Sequence, residues 1–148
     1  MIAYIVSAIV VAAIMDRFCL QRSALKDLRL GALEYVSQAI RVPFYFEPSR
    51  KRLKGASVSY LFRDANNPTT VIDGRSRPLE TSLRGENSQY LYVAQKKIHS
   101  AGVWIMTVHV THGDSLWNPL YRIFPMKYEY SREFNIETVG EQDAAVFQ

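Results

Sequence analysis

MIAYIVSAIVVAAIMDRFCLQRSALKDLRLGALEYVSQAIRV, residues 1–42, is the stretch on which the fold turns. Its first 15 residues carry no charged side chain, and Tyr4 and Ser7 are their only polar ones. All 18 Lys and Arg and all 14 Asp and Glu of the 148-residue chain follow them. A helix rises 1.5 Å per residue, so about 20 residues cross the roughly 30 Å hydrocarbon layer of a bilayer. The apolar run reaches that length if Asp16 and Arg17 lie at headgroup level, and residues 1–20 are expected to form a single transmembrane helix. The run is apolar all round, which a helix on a soluble core is not. No basic residues precede Ile2 as in a secretory signal, so the segment is expected to be retained.

Beyond Asp16 the apolar residues Leu20, Ala24, Leu28, Ala32, Tyr35 and Ala39 recur every three or four positions, the spacing of an amphipathic helix. Pro43 would end it, because the residue before a proline is pushed out of the helical region. Residues 21–43 are therefore expected to continue the first helix, with Gly31 inside it at a cost of about 1 kcal/mol relative to Ala. After Pro43 the period changes from 3.6 to 2. Four antiparallel strands are expected, in ASVSYLFR (56–63), SQYLYVA (88–94), GVWIMTVHVTH (102–112) and KYEYSREFNIET (127–138). The fold class is thus α+β: a long N-terminal helix, transmembrane then amphipathic, packed on a small antiparallel β-sheet. The expected domains are 1–20, 21–43, a β domain at 44–139 and a flexible tail at 140–148.

Charge is uneven. Asp16 to Lys54 holds nine basic and four acidic residues, net +5, and the remainder nine basic and ten acidic. The positive-inside rule would put the β domain in the cytoplasm. Arg50, Lys51, Arg52 and Lys54 form a compact basic run that could grip anionic headgroups or nucleic acid, although no nucleic-acid-binding signature accompanies it. Small residues in the apolar helix, Ala3, Ser7, Ala8, Ala12 and Ala13, would allow close approach of a neighbouring helix.

Catalysis is not expected. GDSL at 113–116 matches a hydrolase nucleophile block, but no histidine follows Ser115 to act as its base. His109, His112 and Asp114 lie close in sequence, yet positions three apart in a strand point to opposite faces, so no metal site is expected. No cofactor is expected either. The single cysteine, Cys19, excludes an intramolecular disulfide and is read as a buried or lipid-facing thiol.

Residues 8–36 resemble the TadE-like pseudopilin family. They hold an apolar run, Asp16 and Arg17 at its exit, the stretch SALKDLRL, then Gly31-Ala32 and Tyr35. The strand at 103–111, the loop Asn118-Pro119-Leu120 and the closing alternating strand are similar too. The resemblance implies a non-catalytic membrane-anchored structural subunit of a pilus or secretion apparatus, its soluble domain outside the cytoplasm. Membrane lipid, copies of itself or other pilus subunits would be its partners. Two other readings of the same features are an accessory subunit of a larger membrane complex or membrane-containing virion, and a membrane-surface or nucleic-acid binding module using the basic segment 49–54.

Overall fold

The computed structural model of the chain describes residues 1–20, 25–49, 55–79, 85–113 and 118–137. Ile2–Met15 forms helix α1, and a wide π-helical turn, Asp16–Leu20, extends it. Eight strands follow: β1 (Leu25–Leu30), β2 (Glu34–Val36), β3 (Ala39–Pro48), β4 (Ser57–Asp64), β5 (Val71–Pro78), β6 (Asn87–Ala94), β7 (Gly102–His112) and β8 (Met126–Ile136). A short helix, α2 (Leu120–Ile123), precedes β8. An apolar N-terminal helix followed by antiparallel sheets is the expected α+β class. Strands β4, β6, β7 and β8 occupy the four stretches read as strands.

Over residues 25–43, the part of the expected amphipathic helix at 21–43 that is described, no helix forms. Leu25 onward is β1, β2 and β3, so the sheet domain begins at Leu25 rather than at residue 44. The reason lies in β1, whose pairing with β3 slips between Leu25 and Asp27. A bulge inserts one residue and turns positions three apart toward the same side. Leu25 and Leu28 consequently both pack toward the core, and a strand acquires helical spacing. Ser37 and Gln38 then make a two-residue turn between β2 and β3, where Val36 faces Ala39.

Pro43 ends no helix either; it lies inside β3. That strand pairs with β6 along one side from Ala39 to Phe46. Along the other side it pairs with β2 up to Arg41 and with β1 from Phe44 onward. The Pro43 carbonyl accepts the Gly31 N–H at 2.7 Å, so the N–H that proline lacks would face the gap between β1 and β2, where no ladder bond is required. Gly31 is held to glycine by the same contact, since a Cβ there would meet Pro43 Cγ at 2.6 Å.

The strands form two four-stranded antiparallel sheets. One has β3 at its centre, with β1 and β2 on one side and β6 on the other; the second runs β5-β4-β7-β8. Alternation along β3 buries Ile40, Val42, Phe44 and Phe46, and along β7 Trp104, Met106, Val108 and Val110. These side chains form one shared core with Phe62, Leu91, Val93 and Ile136, each contributing about 1.5–3 kcal/mol on burial. Phe62 stacks on Trp104 at 4.9 Å. Side chains close both seams between the sheets. Arg132 Nη1 donates to the Leu30 carbonyl at 2.7 Å, while Arg77 Nη2 donates to Tyr90 O at 3.0 Å and the Tyr60 hydroxyl to Tyr92 O. Strand β5 escaped the sequence reading because it is a polar edge strand: only Ile72 and Gly74 of it are buried.

Candidate functional site

α1 buries none of its residues. Its Ile and Val side chains stand 45–79% exposed, and the 18-residue segment Ile2–Cys19 has a mean hydropathy of 1.9 with no part of it buried in the fold. At 1.5 Å per residue this segment is about 27 Å long. It is one helix apolar enough to span a membrane, and its backbone bonds are satisfied internally, as a bilayer demands.

Of the small residues in α1, Ser7 Oγ donates to the Ala3 carbonyl at 2.9 Å, so this hydroxyl is paired within the helix. At 100° per residue, Ala3 and Ser7 lie on one face and Ala8 and Ala12 on another, roughly 140° away. Ala12 and Ala13 border a groove of about 600 Å³ whose opposite wall is Asn118, Pro119 and Leu120. The five residues therefore do not form one stripe. Cys19 is exposed. Arg50, Lys51, Arg52 and Lys54 lie outside the described residues, as do Asp114, Ser115 and the tail from 140 to 148.

Below α1 the chain makes a polar clamp. Asn118 Nδ2 donates to the Ala13 carbonyl at 2.9 Å and to Asp16 Oδ2 at 3.1 Å. The Tyr121 hydroxyl donates to the same carboxylate oxygen at 3.0 Å. Arg17 donates from Nε to the Phe124 carbonyl and from Nη2 to the Pro125 carbonyl at 3.1 Å, its guanidinium lying 5.7 Å from the Tyr121 ring. Phe18 and Phe124 pair at 6.4 Å between ring centroids. Asp16 and Arg17 are visible in the sequence as the charges that end the apolar run. Asn118 and Tyr121 are not, because more than 100 residues separate them from their partners and only Asn118-Pro119 signals a turn.

His109 and His112 face opposite sides of β7. His109 approaches Glu129 at 3.7 Å on the outer face. His112 is buried, stacked on Tyr128 at 5.7 Å, and its Nε2 has no hydrogen-bond partner among the described residues. Burial, and then the nearby Arg17 charge, hold its pKa below the ordinary imidazole value.

A family model described as LydB: LydA-holin antagonist matches residues 1–144. No curated protein and no solved structure matches the chain. The family match overturns the TadE-like resemblance and with it the pilus or secretion-apparatus function. Neither a complex or virion subunit nor a lipid- or nucleic-acid-binding module fits a holin antagonist. The resemblance has a physical source: an apolar helix followed by a small antiparallel sheet is what any membrane-tethered β domain presents. The feature particular to pilins, a helix that runs on to pack along the sheet, is replaced here by β1 to β3. Matched from α1 through β8, the chain belongs to the LydB family of LydA-holin antagonists.

Proposed function

We propose that the protein restrains a holin, a membrane protein, by lateral association of α1 with the holin's membrane-embedded helices, acting by stoichiometric binding rather than as an enzyme. The observation that carries this reading is an apolar 18-residue segment of which its own fold buries no residue, touching it only near its base, in a chain of a holin-antagonist family. In lipid, helices associate through close packing, not through the hydrophobic effect. Ala8 and Ala12, one turn apart, offer the face on which a second helix could approach most closely. The β domain then serves as a bulky stop that fixes the depth of α1 and keeps the bound pair from rearranging.

Co-expression with the LydA holin in a bacterial host tests this, with the onset of membrane depolarisation as readout. The intact chain is expected to delay depolarisation. A chimera in which residues 2–15 are replaced by an unrelated apolar helix of equal length is expected to remain in the membrane and lose the delay. Full delay by the chimera would move the antagonism from α1 to the β domain and overturn the reading.

A further inference from the structure

We propose that residues 119–124, with Phe18, form a second membrane contact: an interfacial anchor whose partner is the headgroup and acyl boundary of the bilayer. This rests on the reading of α1 as a membrane span and adds to it. Ile123 and Phe124 are large apolar side chains left 68% and 51% exposed, and they sit on the segment that the polar clamp binds to the base of α1.

The depth of that segment follows from the length of the apolar helix. Ile2–Met15 alone spans about 21 Å, well short of the roughly 30 Å hydrocarbon layer. Only by drawing residues 16–19 to the membrane boundary does the helix approach the needed length. The loop is fastened to Ala13, Asp16 and Arg17, so it is carried to the same level. The polar groups brought there are paired: the Asp16 carboxylate accepts from Asn118 and Tyr121, and Arg17 covers the carbonyls of Phe124 and Pro125. Such pairing is what a water-poor interface requires. Arg122, exposed beside Ile123, can direct its charge to lipid phosphates while its stem covers apolar surface. A helix lying in this zone sinks about 5–10 Å into the boundary.

The test uses the full chain with Cys19→Ser, reconstituted in phosphatidylcholine and phosphatidylglycerol vesicles. Single spin labels are placed at Val6→Cys in α1, Ile123→Cys, and Asn135→Cys at the far end of β8. Collision with oxygen, which partitions into lipid, is compared with collision with a water-soluble nickel chelate. The expected oxygen-to-nickel ratio is highest at position 6, lowest at 135, and several-fold above the latter at 123. A position 123 that matches 135 while position 6 is deep would overturn the anchor and leave the span intact. Water-like values at both 6 and 123 would overturn both. A label at 123 that is water-exposed alone, and shielded from both colliders only when LydA is added, would assign the patch to protein instead of lipid and also overturn the proposal.

Discussion

The hydroxyl of Tyr121 donates to the carboxylate of Asp16 at 3.0 Å across 105 residues of chain, joining the base of the apolar helix to the loop that precedes the last strand. A hydrogen bond to a charged group contributes about 1.5–3 kcal/mol. Tyr121→Phe is therefore expected to destabilise the protein by about 1.5 kcal/mol or more in denaturant titrations in mild detergent. A change below about 0.3 kcal/mol would mean that solvent or lipid replaces the bond without loss.

Gly113 supports the same tyrosine. Its φ is +146°, and a Cβ would lie 2.5 Å from the Tyr121 ring. Backbone strain and overpacking each cost about 1–3 kcal/mol, so Gly113→Ala is expected to destabilise by at least that much. Removing the ring removes the two closest contacts and leaves only the residue-121 Cβ, at 2.9 Å. In a double-mutant cycle, the cost of Gly113→Ala should shrink by more than 1 kcal/mol in a Tyr121→Ala background, and additivity would place the strain elsewhere.

Trp104 links the core to a buried carboxylate. Its indole N–H donates to the Ser100 carbonyl at 3.0 Å, and Ser100 Oγ donates to Asp64 at 2.6 Å. Trp104→Ala is expected to cost about 3–5 kcal/mol through the cavity. Trp104→Phe, which keeps most of the packing, is expected to cost about 1–3 kcal/mol for the lost donor. Equal costs for the two would show that the indole N–H, and not ring volume, dominates.

Acid should destabilise the fold in two windows. His112 is buried neutral with its pKa lowered; below the ordinary imidazole value, about 6.5, the unfolded chain binds a proton that the folded one refuses. Stability then falls as pH drops through that value and levels off below the folded pKa. Asp64 is held below the usual carboxylate range by the Ser100 hydroxyl and the Asn66 N–H, so its contribution is present above about pH 4 and is lost as pH falls further. His112→Phe should flatten the first window alone and Asp64→Asn the second alone, as read by melting temperature against pH. An unchanged first window in His112→Phe would remove this histidine as its source.

On the proposed helix contact, Ala8→Leu and Ala12→Leu are expected to bring depolarisation forward in co-expression with LydA, toward the time seen without the antagonist. Val6→Leu, roughly 140° away around the helix, should leave the delay in place. Equal effects at all three positions would argue against a specific packing face.

α1 and the four strands β4, β6, β7 and β8 are legible in sequence because each is a periodic signal whose solvent is known in advance: lipid on every side, or core on one side and water on the other. β1 was hidden by its bulge, which turns Leu25 and Leu28 inward at helical spacing, and β5 by its place at an edge, where Asp73, Arg75 and Arg77 face water and look like a loop. Pro43 reads as a helix stop until β1 and β2 are seen to part at that residue.

Composition alone dictates a nonaqueous partner for the first 15 residues, since a helix of uncharged Ile, Val and Ala side chains is not stable when exposed to water on all sides. What stands at the end of that helix is set by the folding of the β domain. Asp16 and Arg17 found Asn118, Tyr121 and the carbonyls of Phe124 and Pro125 across more than 100 residues, a pairing that local periodicity cannot encode because hydrogen bonds depend on distance in space rather than along the chain.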